Sequence, residues 1–300
     1  RVVLNAANTF TGPLATGSGT LTVDTLNSGG TAGPLGLSGA GPDNLLLGPG
    51  TLHYTGGNTA TDRGYTVQAG ASPVRAAVFH ADADVTFGGQ ILADQCGYHL
   101  GGPCWALANA RPHYLQGSVY GGGFIGSFGN NGPPVPYGSA EWPTDPGSAN
   151  DRSVVTGNGL GGGAVRLDFT GTVRVDGEIT ANGDIGAYDT SSSGGSVLIV
   201  CQTIAGSGKV LAKPYDGTDN TTLLDDGGGG GRIAVHYAPA DQAQVQDCNV
   251  LFDASSGICH APERCVGYGK WETFGSNENG EDNISAVIAE SSCAAEDDVD

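Results

Sequence analysis

The sequence has no methionine and only 12 basic residues among its 300. With 31 acids the net charge is −19, so nothing here neutralises phosphates. Nucleic acid and anionic membrane surfaces are therefore not expected as partners. Charged residues of both signs make up only 14% of the chain, and helix-forming runs of Glu, Lys, Leu and Ala are nearly absent. No segment approaches the roughly 18 consecutive apolar residues that would suggest a membrane-crossing helix. No CxxC pair, G-x-S-x-G elbow or H-E-x-x-H helix occurs. The glycines 227–231 before Arg232 lack the Lys-Ser/Thr of a phosphate-binding loop. The histidines (His53, His80, His99, His113, His236 and His260) are far apart in sequence, so no metal site and no cofactor is expected from them. Asp225 and Asp226, with loop carbonyls, are the one candidate for calcium. A chain that starts at Arg1 and has no methionine reads as processed or truncated.

Glycine is abundant instead, at 53 residues, but without the strict three-residue period of collagen. Between the glycines lie short runs in which apolar and polar residues alternate, the mark of a half-buried strand. Gly19-Thr20-Leu21-Thr22-Val23 and Gly50-Thr51-Leu52-His53-Tyr54 are of this kind. Clusters such as Asn27-Ser28-Gly29-Gly30 separate them as turns. The expectation is an all-β protein.

Two sets of segments recur. Val85-Thr86-Phe87-Gly88-Gly89-Gln90-Ile91-Leu92-Ala93-Asp94 aligns with Val173-Arg174-Val175-Asp176-Gly177-Glu178-Ile179-Thr180-Ala181-Asn182, and loosely with Gly206-Ser207-Gly208-Lys209-Val210-Leu211-Ala212. Gly162-Gly163-Ala164-Val165-Arg166-Leu167 aligns with Gly194-Gly195-Ser196-Val197-Leu198-Ile199 and Gly230-Gly231-Arg232-Ile233-Ala234-Val235. The period, about 32 to 36 residues, is in the range of solenoids. Each unit has one apolar strand face: Val165, Leu167 and Phe169, then Val197, Ile199 and Cys201, then Ile233, Val235 and Tyr237. One unit cannot bury such a face alone, whereas stacked units can. Glycine pairs at the corners suit positive φ or close approach between coils. About ten coils at a strand spacing of about 4.8 Å would make a rod roughly 50 Å long.

The first third, residues 1–93, resembles the autotransporter-associated β-strand repeats of bacterial secreted proteins. The resemblance lies in Asn8-Thr9-Phe10-Thr11-Gly12, Gly19-Thr20-Leu21-Thr22-Val23, Gly50-Thr51-Leu52-His53-Tyr54-Thr55-Gly56 and Thr61-Asp62-Arg63-Gly64-Tyr65. It implies a right-handed parallel β-helix displayed outside the cell. Residues 160–237 resemble the glycine-rich repeat segments of large extracellular surface proteins, which again implies a surface location. The expected fold is a parallel β-helix, or β-solenoid, over residues 1–240. It would carry a long insertion at about 94–160 and a cysteine-containing acidic cap or tail at 241–300.

The insertion holds Trp105 and Trp142, candidates for binding glycans. Local disulfides are expected for Cys96 with Cys104 and Cys259 with Cys265, and Cys201 with Cys248 would make a third. Cys293 is then left over for a bridge between chains. An oxidising extracellular or cell-surface compartment follows. Asn220 and Asn283 open N-glycosylation triplets. Three functions fit. A structural subunit would polymerise with copies of itself head to tail, through solenoid ends and the N-terminal strand around Val2, Val3, Leu4 and Phe10. The alternative is an adhesin or carbohydrate-binding module. The third is a β-helix polysaccharide lyase or hydrolase using a carboxylate pair such as Asp82 with Asp84, Asp176 with Glu178, or Asp225 with Asp226. Thirty-one scattered acids make such pairs by chance, so no catalytic residue is assigned and a non-enzymatic protein is expected.

Overall fold

The computed structural model describes residues 1–68, 76–97, 137–149, 160–184, 192–214 and 229–255, together with the backbone of four short strands at 123–124, 267–268, 271–274 and 285–290. Among the described residues nearly all regular structure is strand, and most of it is paired in parallel.

The chain winds repeatedly across three parallel sheets. The first face is built from β1 (Val2–Leu4), β3 (Thr20–Val23), β5 (Thr51–Tyr54), β8 (Ala77–Ala81), β12 (Ala164–Phe169), β15 (Ser196–Val200) and β18 (Arg232–Tyr237). The second holds β6 (Thr59–Thr61), β9 (Val85–Phe87), β13 (Thr172–Val175) and β16 (Thr203–Ala205). The third holds β2 (Leu14–Thr16), β4 (Leu45–Leu47), β7 (Tyr65–Val67), β10 (Gln90–Leu92), β14 (Glu178–Thr180), β17 (Lys209–Leu211) and β19 (Leu251–Asp253). From β5 to β17 each turn passes through the faces in that order, which is the topology of a parallel β-solenoid. Seven strands on the first face, stacked at about 4.8 Å, span roughly 29 Å. The described rod is thus shorter than the sequence suggests. The early coils spend residues on loops such as 24–44 in place of a second-face strand.

Registers align the apolar positions into columns. Leu21, Leu52, Phe79, Leu167, Ile199 and Val235 are successive partners down the first face. Tyr65, Ile91, Ile179, Val210 and Phe252 run down the third, and Val85, Val173 and Ile204 down the second. These columns converge on one core. At its middle, Phe79 meets Phe87 and Phe169 edge-on or tilted, with each centroid 5.3 Å away. Such pairs add stabilisation beyond their buried area. A one-residue slip would turn every one of these side chains outward, so burial fixes the register.

The corner between the third and first faces explains the glycine pairs. The carbonyls of Ala93, Ala181 and Ala212 accept the N–H groups of Gly163, Gly195 and Gly231, each at 2.7 Å. A Cβ at Gly195 would stand 2.0 Å from the Gly163 carbonyl oxygen, and one at Gly162 2.0 Å from that of Ala181. These corner glycines do not have positive φ. Close backbone approach, and not left-handed conformation, is what excludes a side chain there.

Polar groups follow the same repeat. Asp94 Oδ1 accepts the Asn182 N–H at 2.6 Å, and Asn182 Oδ1 accepts the Lys213 N–H at 2.9 Å. In the next coil Lys213 Nζ lies 3.3 Å from Asp253 Oδ2. Burial holds the Asp94 carboxyl above the usual carboxylate range, against the opposing effect of the Asn182 N–H. Arg63 is also buried, donating to the carbonyls of Asn27 at 2.9 Å and Gly36 at 2.9 Å and to Ser38 Oγ at 3.0 Å. It ties loop 24–44 to the third coil, and burial lowers its pKa.

The stack continues past the insertion. β8, β9 and β10 pair directly with β12, β13 and β14, so all three ladders run on unbroken although residues 93–163 separate β10 from β12 in sequence. At the other end the short helix α1 (Pro239–Gln242) takes the second-face position. The Gln242 amide accepts the Ile204 N–H at 2.7 Å and donates to the Ile204 carbonyl at 2.9 Å, closing the edge of β16. On the first face β22 (Ser285–Glu290) pairs antiparallel with β18, and β21 (Trp271–Phe274) with β22. The short strands β11 (Gly123–Phe124) and β20 (Gly267–Tyr268) pair with each other.

Cysteine pairing differs from expectation. Cys201 and Cys248 are free thiols in this structure, so they do not form the expected bridge. Cys201 belongs to the interior column of the first face, where burial pushes its thiol up to about 12, with Cys248 adding to the effect. Cys96 is buried against the Val67 carbonyl, 2.8 Å away. Cys104, Cys259, Cys265 and Cys293 lie outside the described residues, as do Asp225 and Asp226 and the triplets at Asn220 and Asn283.

Two outcomes follow. Gly195→Ala destabilises the fold by about 3 kcal/mol, because rigid backbone on the adjoining coil must move, whereas Gly57→Ala, with nothing within 4 Å, changes stability by less than about 0.5 kcal/mol. Denaturant melts compare the two. For Asp94, a raised folded-state pKa means that stability is present at low pH and lost as pH rises through the folded value. Asp94→Asn keeps the acceptor oxygen and removes the charge. It therefore raises Tm at pH 7, and the gain shrinks towards pH 4; equal gains at both pH values would contradict this.

Candidate functional site

The outward side of the first face is where the solenoid and its insertion meet. Alternation along β15 and β18 points Leu198, Ala234 and His236 away from the core, yet Leu198 and Ala234 are completely buried. Residues 137–149 cover them. Ala140 packs on Leu198 and Ala234 together with Val200. The strap is held by hydrogen bonds from the Gly147 N–H to the Gly162 carbonyl and from the Ser148 N–H to Ser193 Oγ, both at 2.7 Å. Ser196 Oγ donates to the Asp145 carbonyl. Within the strap, Tyr137 Oη donates to the Pro146 carbonyl at 2.7 Å.

This arrangement mounts Trp142. Its N–H bonds Ser139 Oγ at 2.9 Å, and its indole stacks on the His236 ring with centroids 4.2 Å apart and planes 22° from parallel. The imidazole is buried and is fixed in turn by His236 Nε2 against the Glu141 carbonyl at 2.7 Å. Trp142 as a residue nevertheless remains 41% exposed. A rigid, half-open aromatic plate beside the exposed Glu141 can stack an apolar ring face while a carboxylate takes hydrogen bonds from its hydroxyls. That combination suits a sugar. A second, more polar cleft of ≈ 490 Å³ follows the second face, lined by Thr86, Thr172, Thr203, Arg174 and Gln246.

The remaining sequence candidates divide clearly. Trp105 lies outside the described residues. Val2 and Val3 are 58% and 50% exposed on β1, while Leu4 is half-buried against the core. Phe10 lies over Gly36, where a Cβ would come 2.4 Å from its ring. Of the carboxylates considered for hydrolysis, Asp84, Asp176 and Glu178 are bound by the scaffold. Asp84 accepts the Thr172 N–H and the Asn58 amide, both at 2.7 Å. Asp176 pairs with Arg174 at 2.7 Å, and Glu178 accepts from Gln90 at 3.3 Å. His236 was not singled out as a partner of Trp142. Its 94-residue separation hides the contact, and the sequence signal is its outward position after the apolar run Ile233-Ala234-Val235. Among the described residues one group with metal-type donors also assembles, His53, His80 and Asp82.

Over 235 residues, 75% of the chain, the sequence is 30% identical to the adhesin BmaC autotransporter of Brucella suis biovar 1 (strain 1330). The matched chain spans about 7% of that protein's length. No protein-family model matches, and no solved structure does.

Proposed function

We propose that the chain is a surface-displayed segment of an adhesin. The solenoid is a rigid spacer, wound right-handed as strand twist favours, and the strap around Trp142 is a carbohydrate-binding face. The observation that carries this reading is the indole of Trp142, left open although its other side is clamped by His236. Similarity to an autotransporter adhesin supports the location outside the cell and the adhesive role. We assign no catalytic residue: in each described carboxylate pair at least one member is held by the scaffold, Asp84 by the Thr172 N–H of the next coil, Asp176 by Arg174 and Glu178 by Gln90.

Assembly into filaments is the second reading. Its support is β1, whose outer edge has no partner among the described residues and whose Val2 and Val3 are exposed. Sedimentation distinguishes the two: the adhesin reading expects a monomer at all concentrations tested, and end-to-end growth that is abolished by Val3→Lys would favour the filament.

Glycan arrays test the main reading. Trp142→Ala should weaken the strongest glycan signal at least about tenfold, as loss of a central aromatic anchor does. Its Tm should move little, since much of the indole is already in water. A signal unchanged in Trp142→Ala would remove the indole from the binding face.

A further inference from the structure

We propose that His53, His80 and Asp82 form a binding site for a divalent transition-metal ion, of which zinc is the best fit, and that the ion staples two adjacent coils.

His53 on β5 and His80 on β8 are direct partners in the parallel ladder. Both occupy outward positions of the first face, so the pleat sends both rings to the same side. Their centroids are 5.0 Å apart and the planes cross at 49°, so the rings are not stacked. Asp82 follows β8 in the next turn, with Oδ1 3.7 Å from His80 Nε2. That is too long for a hydrogen bond. It is close to the separation of about 3.4 Å that two donors keep when both bind one tetrahedral ion at about 2.1 Å. One donor atom from each of the three residues lies within 4.8 Å of the others. Small rotations about the side-chain bonds are enough to close the set.

A second observation points to a ligand. His53 Nε2 is buried and has no hydrogen-bond partner. Orphaned buried polar atoms are uncommon and call for an explanation. The next position of the same row is Asp168 on β12, partner of His80. It is held at 2.9 Å by Arg166, which keeps it from competing for the imidazole. Two imidazole nitrogens and one carboxylate are a borderline donor set. It suits zinc, nickel or cobalt over calcium and magnesium, which prefer all-oxygen shells. Three protein donors leave a fourth position for water. The net charge of −19 raises the local concentration of any cation.

The test uses the whole chain, stripped with EDTA and titrated with ZnCl2 by calorimetry. One zinc ion per chain is expected at this site, and the affinity should fall at least about tenfold in His80→Ala and in His53→Ala, and several-fold in Asp82→Asn. No saturable zinc binding by the wild-type chain overturns the proposal. So does binding of equal stoichiometry and affinity in folded His80→Ala. Should a histidine variant fail to fold, cobalt on the wild-type chain decides. Visible d–d bands without thiolate charge transfer support the site, whereas a thiolate band places the metal on cysteine and overturns it.

Discussion

Everything in this solenoid depends on how near one coil's backbone can come to the next at the corner between the third and first faces. The hydrogen bonds from Gly163, Gly195 and Gly231 to the alanine carbonyls form only because neither partner carries bulk at that point. The same approach sets the heights at which β12, β15 and β18 begin, and hence the register in which Val165, Val197 and Ile233 meet. Interior columns and corner glycines are therefore two consequences of one geometric condition. A coil displaced at the corner would misplace its whole apolar face.

Hydrogen bonding completes what burial begins. In a stack of parallel coils, turn residues must find donors and acceptors or be left dry, at a cost of about 1–3 kcal/mol for each orphaned group. Asp94 and Asn182 solve this by accepting an N–H from the following coil. Arg63 solves it in the early coils by collecting four backbone or hydroxyl oxygens from loop 24–44. Gln242 solves it at the last second-face edge, where its amide imitates one residue of a strand. The three devices differ in chemistry and agree in purpose, and each is placed where the repeat is interrupted or ends.

This division explains what could be read from the sequence. The alternation at Val165-Arg166-Leu167, Val197-Leu198-Ile199 and Ile233-Ala234-Val235 announces strands because period two survives in each copy, and the aligned glycines announce the repeat. The all-β parallel architecture was therefore legible. Arg63 was not. Its burial depends on loop 24–44, which has no period to announce it. Cys201 is expected to pair with Cys248, but its place in the Val197, Ile199, Cys201 alternation gives it an apolar environment and a reluctant thiol.

Sites are the least legible part, for a reason built into solenoids. Neighbours on the outer surface come from successive coils, so their separation in sequence is one coil length plus whatever loop or insertion interrupts it. His53 and His80 are apart by one irregular coil; Trp142 and His236 are apart by several. Selection for burial constrains only inward positions, so outward ones carry no periodic signal of their own. The insertion gains from this arrangement. It departs after β10 and returns before β12 without disturbing any of the three ladders, so its strap can vary while the scaffold below stays fixed. A binding face made from such a strap inherits its rigidity from the coils, through Leu198, Ala234 and His236, and its specificity from residues the coils do not constrain.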